Sequence, residues 1–104
     1  MDLDVRVRHG ATKDREAAAE HVEGKLRNAL RRMGGKLAWV MVRLDDVNGP
    51  RGGSDKRCVV RAQTVAGSRS VGEATGPDLF GAIDGALRRA LRGLRGTLSR
   101  GRRR

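Results

Sequence analysis

The spacing of apolar residues switches repeatedly along this chain, and that succession leaves few architectures open. Leu3, Val5 and Val7 alternate with Asp2, Asp4, Arg6 and Arg8, the two-residue period of a strand covered on one face. From Ala18/Ala19 through Val22, Leu26, Ala29/Leu30 and Met33 the step becomes three and four, the stripe of an amphipathic helix. Thr12 is placed to cap that helix, Asp14 and Glu16 sit near the positive end of its dipole, and Gly34-Gly35 stops it. The two-residue period then returns in Leu37–Leu44, where Ala38, Val40, Val42 and Leu44 are expected to face the core and Trp39, Met41 and Arg43 the other side.

Asp45 to Asp55 reads as a Gly/Asn/Asp-rich connection. A third strand is expected over Arg57–Ala66, with Cys58, Val60, Ala62 and Thr64 on one face. Gly67-Ser68 turns into a fourth strand over Arg69–Thr75. Pro77 suits the first turn of a second helix, whose buried stripe is Ile83, Leu87, Ala90, Leu94 and Leu98. The order is β-α-β-β-β-α. A β-α-β start implies a right-handed crossover with parallel pairing, and two one-sided helices belong together on one face of a four-stranded sheet, an α+β fold. Residues 1–99 form one domain on this reading, and 100–104 a disordered arginine-rich tail.

Charge narrows the function. The chain has 104 residues and a formal charge of +11. Residues 1–50 hold ten Lys/Arg against eight Asp/Glu, but residues 51–104 hold thirteen against four. After Asp84 come Arg88, Arg89, Arg92, Arg95, Arg100, Arg102, Arg103 and Arg104 with no carboxylate among them. A GC-rich coding sequence accounts for arginine over lysine, but not for the missing acids. Such a surface repels itself alone and is stabilised by phosphates, each of which a guanidinium grips with two parallel hydrogen bonds. On the first helix Lys13, Arg27 and Arg31 project opposite the apolar stripe and Lys25 and Arg32 flank it, partly offset by Glu16, Glu20 and Glu23. With one Trp, one Phe and no Tyr, the chain has few platforms for stacking bases, so phosphate position and groove shape are the features it is equipped to recognise. Structured RNA and duplex DNA both fit.

Other classes find little support. His9 and His21 have no spacing that ties them to Cys58 as base and nucleophile, and a hydrolase lacks its acid–base pair. Asp45, Asp46 and Asp55 match no calcium-loop pattern and read as turn formers, and Gly49-Pro-Arg-Gly-Gly lacks the order of a nucleotide-binding loop. No metal or cofactor is expected. Cys58 is the single cysteine and reads as a buried hydrophobe in a reducing cytoplasm. No apolar run approaches a membrane span, and Met-Asp-Leu-Asp does not resemble a signal peptide.

The element order, the segment Asp78-Leu-Phe-Gly-Ala-Ile-Asp84 with its arginine-rich continuation, and the segment Asp46-Val-Asn-Gly-Pro-Arg-Gly-Gly-Ser-Asp-Lys-Arg-Cys58 together resemble the hibernation-promoting factor and ribosome-associated inhibitor family, from Leu3 to about Ser99. The resemblance implies a cytoplasmic, non-enzymatic protein that binds the small ribosomal subunit between head and body and blocks translation by occupying the mRNA and tRNA channel. It carries RNA contact to Lys25, Arg27, Arg31 and Arg32 on the first helix and to Arg88, Arg89, Arg92 and Arg95 on the second, with Phe80 and Ile83 as packing residues. Phe80 stands where tyrosine is common in the family, the Asp45–Asp55 loop is longer than in its short forms, and on this reading a dimerisation domain is not expected to follow. A general structured-RNA or DNA-binding module is the alternative.

Overall fold

The computed structural model describes residues 2–7, 12–33, 35–48 and 54–102, the side chains of 12–14, 48, 54 and 95–102 excepted. Its elements are β1 (Asp2–Val7), α1 (Thr12–Arg32), β2 (Leu37–Asn48), β3 (Ser54–Thr64), β4 (Arg69–Gly76) and α2 (Leu79–Arg102). The four strands form one sheet in the order β1-β2-β3-β4. β1 runs parallel to β2 (Val5 opposite Val42), and the two later pairs are antiparallel. This is the expected α+β arrangement.

One face of the sheet carries the core. Val5, Val40, Val42, Leu44, Cys58, Val60 and Ala62 are buried there against Ala18, Val22, Leu26 and Ala29 of α1 and Ile83, Ala86, Leu87, Ala90 and Leu94 of α2. The register slips between Leu37 and Trp39, where Leu37 faces Thr64 and Trp39 faces Gln63. The extra residue of this bulge reverses the alternation at the start of β2. Leu37 is therefore buried and Ala38 only half-buried, the reverse of the expected parity.

Several boundaries depart from the sequence reading. β2 and β3 run well into the segment read as a connection, so Asp45, Asp46 and Asp55 are ladder residues rather than turn formers. The physical reason is cross-strand charge: Asp45 faces Arg57, and Asp46 faces Lys56 with 2.5 Å between carboxylate and ammonium. β3 ends at Thr64, whose hydroxyl accepts the Ser68 N–H at 3.1 Å while Gly67 turns the chain at φ 97°. At α2, Asp78 opens the helix as expected, with Pro77 just before it rather than in its first turn. The Asp78 Oδ2 accepts the Gly81 N–H at 2.8 Å and its carbonyl the Ala82 N–H at 3.0 Å. α2 continues to Arg102, past the expected start of the tail. Arg103, Arg104, Gly34 and residues 49–53 lie outside the described residues, as do the Thr12, Asp14 and Leu98 side chains.

Helix α2 lies directly on β4 because glycines open the way. A Cβ on Gly72 would fall 2.1 Å from the Ala86 carbonyl oxygen and 2.5 Å from the Ala90 nitrogen, both backbone. Gly85 faces Ala74, and Gly93 faces Ser70. Gly72→Ala is therefore expected to push α2 off the sheet and cost about 3 kcal/mol, the upper range for overpacking, in urea unfolding. A methyl group on Gly24 would meet nothing within 4 Å, so Gly24→Ala is expected to stabilise by up to about 1 kcal/mol through helix propensity.

Cys58 sits fully buried in this core, and desolvation pushes its thiol from 9.0 up to about 12. The unfolded chain thus releases this proton at lower pH than the folded one. The contribution is intact below pH 9 and is lost as pH rises from 9 towards about 12. Cys58→Ala is expected to flatten that alkaline fall in chemical-denaturation curves, and the wild-type thiol to resist alkylation in the native state.

Candidate nucleic-acid interface

The outer surface of the two helices gathers the basic residues. Lys25, Arg27, Arg31 and Arg32 on α1 and Arg88, Arg89 and Arg92 on α2 are all exposed. Three of them meet in space: Lys25, Arg32 and Arg88 line a groove of about 400 Å³ between the helices, with Leu87 and Leu91 on its apolar wall and Asp84 as its carboxylate. Arg92 follows Arg88 by one turn, about 6 Å along the axis.

The remaining expected contacts go elsewhere. Arg27 lines a separate depression with Glu23, Leu26 and Leu30, and Arg31 is exposed in the last turn of α1. Arg89 lies on the side of α2 that rests over β4, and its guanidinium donates to the Glu73 carbonyl. The Arg95 side chain is outside the described residues.

The polar bridge between the helices was not anticipated from the sequence. His21 Nε2 and Asp84 Oδ1 are 2.7 Å apart, and Lys25 Nζ reaches the same oxygen at 3.9 Å. The His21 ring stacks on Phe80 with centroids 4.5 Å apart and planes at 28°. Phe80 is thus not a core residue but a 41% exposed platform for His21, whereas Ile83 is fully buried. A signal existed: His21 and Lys25 are four apart on one helix, and Phe80 and Asp84 four apart on the other, so two complementary pairs were available to meet.

No group of three His, Cys, Asp or Glu among the described residues could hold a metal ion, and no helix is long and apolar enough to cross a membrane. What the surface offers is guanidinium and ammonium groups on rigid helices, which suits multiple phosphate contacts.

Residues 3–102 match the family described as Sigma 54 modulation protein / S30EA ribosomal protein. The chain belongs to that family. No curated protein matches it. Membership makes this S30EA-family chain a ribosome-associated modulator, and the family is not one of enzymes.

Asp84 gives this surface a test of its own. Asp84→Asn removes the one carboxylate lining the interhelical groove while breaking a half-exposed pair with His21 and Lys25. Thermal unfolding is expected to show a loss of about 0.5–1 kcal/mol. RNA affinity in filter binding is expected to rise, because the groove loses a negative charge.

Proposed function

We propose that this protein binds the ribosomal RNA of the small subunit through the outer face of its two helices, and that it silences translation by occupying the channel for mRNA and tRNA. It acts in the cytoplasm, without catalysis, as a hibernation factor of idle ribosomes. The observation that carries this reading is the convergence of Lys25, Arg32 and Arg88 from two helices on one groove, in a chain of this family. Arg92 extends the same surface along α2, whose sequence after Asp84 holds no acid.

The mechanism follows from charge and bulk. Arginines released from mutual repulsion by phosphate give affinity, and the sheet behind the helices supplies a rigid body too thick to share a channel with another nucleic acid. No conformational step is needed.

Co-sedimentation with purified small subunits, in the presence of excess duplex RNA, tests this. The protein is expected to pellet stoichiometrically despite the competitor, with affinity falling by about 0.7–0.9 log units per tenfold salt for each neutralised phosphate. Lys25→Glu, Arg88→Glu and Arg92→Glu together are expected to abolish pelleting. Stripping by duplex would instead identify a general binder of structured nucleic acid, and unchanged pelleting of the triple variant would remove the helical face from the interface.

A further inference from the structure

The face of the sheet opposite the helices is left uncovered by the described residues, and it is not chemically uniform. Over much of it arginine and carboxylate are matched: Arg6 bonds Asp4 at 2.9 Å, and Arg57 bonds Glu73 at 2.6 Å. At its centre the matching fails. A depression of about 160 Å³ is lined by Met41, Arg43, Asp45, Arg57, Val59 and Arg61. Arg43 and Arg61 are exposed, and neither has an ion pair or hydrogen bond among the described residues. Arg57, held above its ordinary pKa by its bond to Glu73 and that carboxylate's charge, stays cationic beside them. Asp45 is the half-buried carboxylate at the margin.

The register sets these groups in a row. Arg43 faces Val59, so Arg57 and Arg61 are both its diagonal neighbours across the ladder; Trp39 faces Gln63, so Arg61 is diagonal to Trp39 as well. Diagonal neighbours on a sheet lie within reach of long side chains. Trp39, Arg61, Arg43 and Arg57 therefore form one zigzag track across β2 and β3, with an aromatic ring at one end and guanidinium groups along the rest. Adjacent like charges cost stability when nothing lies between them, and an anion relieves that cost.

We propose that this track is a second nucleic-acid site, one that takes a short single-stranded RNA segment: a base stacks on Trp39, and the phosphates that follow sit between Arg61 and Arg43, with Arg57 and its Glu73 partner at the far end. Single strands are held in this way by a basic track with an aromatic platform, and the stacking is tolerant of base identity. An acidic peptide is the weaker candidate. Peptides that bind sheets add themselves to an edge strand, whereas β2 and β3 are the inner strands and have no free edge to offer. The site lies across the sheet from the interhelical groove, so RNA on the helices leaves it open. It goes beyond the proposed ribosomal contact and does not depend on it.

Trp39 is the only tryptophan, so its fluorescence reports this face alone. Titration with hexauridylate at low salt is expected to quench it. The double variant Arg43→Gln/Arg61→Gln is expected to bind about tenfold or more weakly, the loss that follows from removing charged hydrogen bonds. Both residues are exposed on the open face, and circular dichroism and thermal unfolding check that the variant stays folded. Lys25→Glu/Arg88→Glu is expected to quench within about twofold of the wild type. Four results would each overturn the proposal: no quenching, equal quenching in the Arg43/Arg61 variant, stronger binding of a hexaglutamate peptide than of the RNA, or a dimer in sedimentation that the same variant dissolves. The double variant should still pellet with small subunits, so failure at this site and failure of the helical interface are told apart.

Discussion

The close approach of α2 to β4 is the contact on which the rest of this molecule depends. Gly72 has no side chain, and the backbone of α2 at Ala86 and Ala90 occupies the place where one would be. The two elements run antiparallel along the seam: Gly85 lies at Ala74, Ala86 and Ala90 at Gly72, and Gly93 at Ser70. A helix seated on small residues at several points has little freedom to roll about its axis. Its rotation fixes which arginines look outward. Arg88 falls on the side of α1 and lines the groove, but Arg89 belongs to the stripe of Gly85 and Gly93, and its guanidinium donates to the Glu73 carbonyl of β4. Two adjacent arginines therefore do different work, one available to phosphate and one tied to the edge strand.

The second helix-to-helix link is polar and half-exposed. His21 and Lys25 share the Asp84 carboxylate, and Phe80 backs the His21 ring. These groups set the distance between the helices at the end of a groove whose other residues are basic or apolar. One carboxylate among cations limits repulsion in the free protein, and on the proposed function it would lower affinity for RNA. Stability of the free protein and strength of the interface thus pull Asp84 in opposite directions.

Much of the fold was legible because burial here is one-sided. The alternations in Leu3–Val7 and from Cys58 to Thr64, and the stripes from Ala18 and from Ile83, name most of the core, but Leu37, Ala82, Ala86 and Leu91 are also buried and Leu3, Val7, Ala19 and Leu30 only half-buried. Legibility failed where pairing across strands outweighs local propensity. Asp45, Asp46 and Asp55 look like turn formers alone, yet they extend β2 and β3 because Arg57 and Lys56 stand opposite Asp45 and Asp46. The bulge before Trp39 was equally hidden, since Ala38 fits either face by composition and only the partner strand decides. Among the expected contact residues the sequence identified charge but not company. That Lys25, Arg32 and Arg88 meet while Arg27 and Arg89 turn aside depends on helix rotation, and the glycines that set it carry no apolar signal to read.

The two faces of the sheet end up with opposite electrostatic designs. On the helical side positive charge accumulates: α2 holds six arginines and one aspartate between Leu79 and Arg102. On the open side cations are paired with anions, Arg6 with Asp4 along β1 and Arg57 with Glu73 across the β3–β4 ladder. A face balanced in this way gives no long-range attraction for a polyanion, because the fields of matched pairs cancel within a Debye length of about 8 Å. On the proposed function, encounter with a large RNA would be steered by the helices, and the protein would be oriented with its sheet turned away. The cluster of Arg43 and Arg61 is too local to alter that orientation. Its influence is confined to what comes within contact distance, which is the requirement for holding a flexible strand after the rigid one has been found.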